Sequence, residues 1–198
     1  MEYNFQYDHK TRWISYWHQI DEILALKPKS VLEIGIGSKT VANYLKNQGI
    51  EVTTLDIDES IKPDIVANVV KMPLSDDSFD VVLCAEVLEH LPFEDFKKGL
   101  SEIKRVSKRY CILSLPYWGL IFYVGLKLPL LKKLEIFIKF PFFKEPEYSK
   151  GHYWEIGRRG YFLKKIKRII ERSGLKILKD YINFESPYHH IFVLEKVK

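Results

Sequence analysis

The stretch Val31-Leu-Glu-Ile-Gly-Ile-Gly-Ser-Lys-Thr40 constrains the fold of this chain more than any other. Val31, Leu32, Ile34 and Ile36 form a short, nearly continuous apolar run, the pattern of a parallel strand covered on both faces. Gly35 and Gly37 then let the backbone turn sharply and approach a ligand where a Cβ would clash. Ser38 or Thr40 is placed to cap a helix running through Val41, Tyr44 and Leu45 and stopping near Gly49. A glycine turn feeding a helix N-terminus is a general device for holding adenosine-containing or phosphorylated ligands. On its own it is equally a tight strand-to-helix turn with no ligand.

The same alternation continues. Val52-Thr-Thr-Leu-Asp-Ile57 reads as a second strand, Pro63 to Asn68 as a third, Val81 to Cys84 as a fourth and Tyr110 to Leu115 as a fifth. A helix with Phe96, Leu100, Ile103 and Val106 on one stripe lies between the last two. Alternating strands and helices predict a Rossmann-like, doubly wound α/β sheet, and 198 residues suit one domain. Asp56 stands at the C-terminal end of the second strand, about 20 residues beyond the glycines, where a carboxylate can accept hydrogen bonds from both hydroxyls of a ribose. A surface or capping role is the alternative for Asp56, and Asp58 is expected to be such a cap.

Bulk properties exclude little. A formal charge of +5 permits anionic ligands, acidic lipid or nucleic acid and selects none of them. Cys84 and Cys111 fall in predicted buried strands, which points to free thiols in a reducing, cytoplasmic setting, and two cysteines offer no metal-ligand spacing, so no metal is expected. The N-terminus carries charge and aromatics where a secretory peptide would carry an apolar core.

With these residues in view, the chain resembles the class I S-adenosylmethionine (SAM)-dependent methyltransferases, well over Val31 to Pro116 and loosely beyond. The run from Met72 to Leu91, containing Ser-Phe-Asp-Val-Val-Leu-Cys-Ala-Glu-Val-Leu-Glu-His, carries the most specific likeness. The first motif of the family appears as Glu33, Gly35 and Gly37, with Lys39 in place of a third glycine. Asp56 matches the ribose-binding acid, with Ile57 beside it, and Asn68 stands where the family often has an adenine-contacting Asp. The resemblance implies SAM as cofactor, Ala85 and Glu86 beside its methionine part, and Met72 near its adenine. It also implies a seven-stranded, mostly parallel sheet with an antiparallel last strand, for which Leu175 to Leu178 and Ile191 to Leu194 provide material. A nicotinamide dehydrogenase would use Asp56 equally well, but Thr40 occupies the place of its third glycine.

Residues 1–28 read as a helix packed on the edge of the sheet or as an N-terminal helical cap on the ligand site, with Trp13, Trp17, Ile20, Ile23 and Leu24 at helical spacing and an aromatic cluster of Tyr3, Phe5, Tyr7, Trp13, Tyr16 and Trp17. Residues 117–150 read as an insertion after strand five, apolar with interspersed lysines. Pro129 and Pro141 predict two short helices there, a helical lid. The segment 117–143 is a lid packed as core, a peripheral membrane contact or an oligomer interface, and it is too short for a span. Gly151-His-Tyr-Trp-Glu-Ile-Gly157 returns to the C-terminal end of the sheet, making His152, Tyr153, Trp154 and Glu155 candidates for the substrate side. A hydroxyl or amine acceptor needs a general base, for which His90, His152 and Glu155 are the candidates. The paired His189 and His190 read as turn chemistry, and a helix from Arg158 to Arg172 shows a solvated basic face, not a nucleic-acid surface. The expected activity is methyl transfer to a small or lipid-like acceptor such as a lipid or quinone. The alternative is a non-catalytic SAM-binding scaffold.

Overall fold

In the computed structural model, residues 6–126, 134–140 and 151–197 are described. The predicted alternation is present as α1 (Lys10–Ala25), β1 (Ser30–Ile34), α2 (Thr40–Asn47), β2 (Glu51–Asp56), β3 (Ile65–Val66), β4 (Phe79–Ala85), α3 (Phe93–Val106) and β5 (Ser107–Pro116). After these come β6 (Leu120–Leu126), β7 (Leu134–Phe140), α4 (Leu163–Arg172), β8 (Leu175–Ile182) and β9 (His189–Lys196). Seven strands form one sheet in the order β3-β2-β1-β4-β5-β9-β8. The first five of these are mutually parallel, and β9, last in sequence, runs antiparallel to both β5 and β8.

Central strands of such a sheet are covered on both faces, which is why β1, β4 and β5 are apolar almost without interruption. On one face, Phe96, Leu100 and Ile103 of α3 and Ile166 and Ile170 of α4 pack with Leu32, Val82 and Leu113. On the other, Ile23 of α1 and Val41, Ala42 and Leu45 of α2 pack with Val31, Val81 and Ile112. Each fully buried Leu, Ile or Phe here is worth roughly 1.5–3 kcal/mol of transfer free energy, so the helices are held by their stripes more than by intrinsic propensity. The α3 stripe has acids Glu94 and Asp95 in its first turn and Lys104 and Arg105 in its last, both favourable to the helix dipole. Asp80, at the start of β4, fastens this strand to β1: its Oδ2 accepts hydrogen bonds from the backbone N–H of Lys29 at 2.8 Å and of Ser30 at 3.0 Å. Cys84 and Cys111 are buried and free.

Three expectations are corrected. The insertion after β5 is not helical where it is described: β6 and β7 pair antiparallel as a two-stranded hairpin, with Leu120 opposite Phe140 and Leu126 opposite Leu134. Runs such as Ile121-Phe-Tyr-Val124 and Ile136-Phe-Ile138 are β-branched and aromatic, and that preference prevails over the helix reading. Pro129 and Pro141, on which the two helices rested, lie outside the described residues. Second, α4 begins at Leu163 instead of Arg158, because Gly157 (φ +89°) and Gly160 (φ +84°) hold a turn that a helix cannot continue. Third, Trp13 and Trp17 are exposed; Ile20, Ile23 and Leu24 of the expected stripe do pack inward, and α1 buries Ser15, Tyr16, Gln19 and Glu22 beside them.

Candidate active site

The functional region lies at the C-terminal ends of β1, β2 and β4, where open α/β sheets bind ligands. The chain leaves β1 through Gly35 (φ +78°), whose N–H donates to the Leu55 carbonyl at 2.9 Å. A Cβ on Gly35 would stand 2.2 Å from Cγ2 of Val87, so the glycine is required by the loop after β4 as well as by its own conformation. Gly37 (φ 47°) and Lys39 (φ 62°) complete the turn. The expected side-chain cap of α2 does not form. The hydroxyl of Ser38 instead donates to Asp8 Oδ1 at 3.1 Å, joining the glycine turn to the N-terminal segment, and Tyr16 donates to the same oxygen at 2.7 Å. Lys39 points outward, its Nζ donating to the Lys62 carbonyl at 3.0 Å. Asp58 is a cap, accepting from the N–H and hydroxyl of Ser60.

Asp56 closes the other side of the turn. Its Oδ2 accepts from the N–H of Ile36 and its Oδ1 from that of Asp58, each at 3.0 Å. Each oxygen retains acceptor capacity toward the adjoining cavity. That cavity, about 370 Å³, is lined by Glu33, Gly35, Gly37, Asp56, Ile57, Asn68, Ala85, Glu86 and His90, nine of the expected site residues. Glu33 is buried, and its Oε2 has no hydrogen-bond partner among the described residues. Burial pushes this carboxyl up to about 8. Asn68 Oδ1 accepts from the N–H of Val70 at 3.0 Å, forming a side-chain turn beneath the cavity wall. Met72 does not line the cavity; it is buried in the core, and its backbone is gripped by Glu102 and Arg105.

A second cavity of about 510 Å³ adjoins the first and shares Tyr7, Arg12, Glu86, His90 and His189 with it. His152, Tyr117, Trp118, Lys139 and Tyr188 complete much of its wall. The segment 151–157 does return to this end of the sheet, as Tyr153 N–H donates to the Glu89 carbonyl and Ile156 N–H to that of Pro116. Glu155 lines neither cavity. Its Oε1 accepts from Tyr188 at 2.9 Å and from His152 Nδ1 at 3.0 Å, and its Oε2 from Arg158 at 3.1 Å. Burial raises the pKa of this carboxyl, but the hydrogen bonds from His152, Tyr188 and Arg158 outweigh it and hold the group below the usual range. Trp154 is a core residue packed edge-on against Phe93 and Phe96, and Tyr153 is exposed. His90 lies at the junction of the cavities; its Nδ1 donates to the Gly151 carbonyl at 3.0 Å, an acceptor-only partner that fixes the tautomer and leaves Nε2 with a lone pair. Burial lowers its pKa. Lys139 of β7 donates to the carbonyls of Tyr117 and Pro187, latching the hairpin onto the rim, and burial pulls its pKa down to about 8.

Several wall residues escape the sequence reading. His189 is buried on both cavities, with Nδ1 2.9 Å from Ser186 Oγ and Nε2 3.8 Å from Glu86, so it does more than shape a turn. Arg12, Ser15, Tyr16 and Gln19 also line the first cavity. These four recur at helical spacing, a polar stripe visible in the sequence but passed over in favour of the tryptophans.

Residues 32–115 match the family model described as a methyltransferase domain. An uncharacterised protein of Methanocaldococcus jannaschii is 32% identical over 123 residues, 59% of this chain and 49% of that protein. The chain thus spans about half the length of this relative. Among solved structures, the 1,6-didemethyltoxoflavin-N1-methyltransferase of Burkholderia thailandensis, with its substrate and S-adenosylhomocysteine bound, superposes with a TM-score of 0.67 at 12% identity, covering 98% of this chain and 82% of that one. The magnesium protoporphyrin IX methyltransferase of Synechocystis, with SAM bound, gives 0.59 at 16% identity, over 95% and 84%. The match over residues 32–115 is thus to a methyltransferase domain, and the fold around it is the one that these methyltransferase structures share.

Proposed function

We propose that the chain transfers a methyl group from SAM to a small molecule held in the second cavity. The observation that carries this reading is the shared wall: a cavity with nucleoside-type acceptors opens onto a second, larger one across His90, Glu86 and His189. The residues of the first cavity fit SAM. The buried, unpartnered Oε2 of Glu33 needs a donor, which a ligand ammonium supplies. Asp56 retains acceptor capacity for ribose hydroxyls, and Asn68 stands beside Val69 and Ala67 on the wall expected to meet the adenine.

When bound, SAM supplies an activated methyl on a sulfonium that is its own leaving group. The chain supplies alignment and a site screened from water. Arg12, Ser15, Tyr16 and Gln19 of α1 cover the first cavity, while Lys139 and Tyr117 border the second. His90, neutral and with Nε2 uncommitted to the Gly151 carbonyl, is the group best placed to accept a proton from a hydroxyl or amine acceptor. Glu155, away from both cavities, orients the His152 ring.

The two solved relatives act on heterocycles by their names, which supports a small-molecule acceptor here. Exposed Leu120, Phe122, Ile138 and Phe140 on the hairpin support the finer reading of a lipid or quinone acceptor met at a membrane surface. Cosedimentation with anionic liposomes tests that refinement, which is lost if the protein stays in the supernatant. The main reading is tested by calorimetric titration with SAM and S-adenosylhomocysteine. Asp56→Ala should weaken both by at least roughly 100-fold, since it removes charged hydrogen bonds worth about 1.5–3 kcal/mol each. No binding to the native chain at millimolar ligand rejects the proposal, and tight binding without methyl transfer leaves the scaffold reading.

A further inference from the structure

We propose that Glu89, His90 and His152 form a binding site for one divalent transition-metal ion beside the second cavity. One ligand atom from each of the three residues lies within 4.8 Å of the others. Glu89 is fully buried, and neither of its carboxylate oxygens has a hydrogen-bond partner among the described residues. Such a group is costly unless something pairs with it. The group facing it is the His152 imidazole, whose Nε2 is 3.9 Å from Glu89 Oε1.

The two histidines are prepared in the same way. His90 Nδ1 donates to the Gly151 carbonyl and His152 Nδ1 to the Glu155 carboxylate, both at 3.0 Å. Neither acceptor carries a hydrogen, so in each ring Nδ1 holds a proton and Nε2 is the nitrogen left to offer a lone pair. Metal-ligating histidines are oriented in this manner, by an oxygen acceptor on the nitrogen away from the ion. Glu155 is itself fixed by Arg158 and Tyr188. The Tyr153 N–H to Glu89 carbonyl bond, 2.9 Å, ties the segment carrying His152 to the turn carrying Glu89 and His90. The ring centroids of His90 and His152 are 4.7 Å apart, edge to face.

Two imidazoles and one carboxylate are a donor set for zinc, cobalt, manganese or iron(II), and a poor one for calcium, which takes oxygen ligands. Ligand atoms around such an ion stand roughly 3.3 Å apart, so the set, which spans up to 4.8 Å, closes by up to roughly 1.5 Å on binding. Three protein ligands leave a position open on the cavity side, where His90 and His152 form part of the wall. That position suits an oxygen of the acceptor, whose hydroxyl the ion would acidify in place of a base at His90, and this assigns hydroxylated acceptors to the enzyme. This last clause rests on the proposed methyl transfer, whereas the ion site does not.

The test is titration of chelator-treated, full-length protein with cobalt(II), followed by calorimetry and by visible absorption. The expected result is one ion per chain, with the intensified bands of a low-coordinate, nitrogen-ligated ion. Glu89→Gln, which keeps the shape of the neutral acid, and His152→Asn should each weaken uptake by more than about 100-fold, and Glu155→Gln by about 10–100-fold through the ring it orients. His18→Gln, remote from the cluster and bonded to Tyr181, should leave uptake unchanged. Melting temperatures establish that each variant is folded. No uptake by the native chain, or equal uptake by a folded Glu89→Gln or His152→Asn variant, overturns the site. SAM titration of the same samples separates the two proposals: SAM binding without cobalt uptake rejects the ion site alone, and cobalt uptake without SAM binding rejects the methyltransferase reading alone.

Discussion

Glu33 is a carboxyl that folding keeps protonated. Burial lifts its pKa from 4.5 to about 8, so between these values the folded chain holds a proton that the unfolded chain has released. Stability must therefore fall as pH rises through that window and level off above it. Replacing Glu33 by Gln removes the penalty while keeping the shape. The variant should gain about 1–3 kcal/mol over the native protein at pH 7 and nothing at pH 4, read from urea melts at the two pH values. An equal gain at both would show that the carboxyl is solvated. Saturating SAM should shrink the difference at pH 7 if its ammonium pairs with the native Glu33. Asp56 and Glu33 were legible as site residues because their positions relative to the glycines are set by local geometry. His189 was not, since its place on the cavity wall depends on β9 pairing with β5, a contact between distant parts of the chain. The cluster of Glu89, His90 and His152 was hidden for the same reason: the sequence places Glu89 and His90 side by side, and only the turn bonded through Tyr153 N–H brings His152 to them.

At the scale of elements, the unit formed by β1, its glycine turn and α2 is built against the loop after β4. Gly35→Ala would force a Cβ to within 2.2 Å of Val87 at φ +78°. A loss of about 2–4 kcal/mol in stability is expected, with SAM binding falling further than the melting temperature alone implies, because the turn itself must shift. Chemical denaturation paired with calorimetry checks this, and a variant that melts like the native protein would mean that Val87 yields freely. Strands β1, β4 and β5 were readable because parallel strands buried on both faces leave a nearly continuous apolar record, and β2 by its β-branched run from Val52 to Thr54. The hairpin of β6 and β7 was misread for an intelligible reason: its side chains show neither clean alternation nor a helical stripe, and Leu120 to Val124 are all exposed to a similar degree. With no face chosen by burial, periodicity carries no information there, and Pro129 and Pro141 mimic helix breaks around β-branched strands. In α1 the hydrophobic stripe does face inward at Ile20, Ile23 and Leu24, but Ser15, Gln19 and Glu22 turn inward where the two tryptophans do not. Glu22 is satisfied there by Lys179 and Tyr181 of β8, which makes a polar inner face affordable.

Across the whole molecule, the sheet divides two cores of different character. The first cavity is lined from both, by Ile34, Leu55 and Val69 of the α3 and α4 side and by Val41 and Leu83 of the α1 and α2 side, but only the latter is sealed with polar groups from Asp8, Tyr16 and Ser38. The doubly wound class and the antiparallel last strand followed from element order, but this asymmetry did not, because it depends on which residues of α1 meet the ligand side. The two free thiols both lie in the α3 and α4 core. Cys84 of β4 and Cys111 of β5 occupy neighbouring strands at the centre of the sheet, both essentially inaccessible, and burial pushes both thiols above their usual range, Cys111 to about 12. Thiolate chemistry there must wait for the sheet itself to part. The protein consequently carries a built-in clock: reaction with an excess of a chromogenic aromatic disulfide should release two equivalents in a single slow phase. Its rate should drop when SAM is added. A fast equivalent from either cysteine would reveal an opening of the central strands that precedes global unfolding.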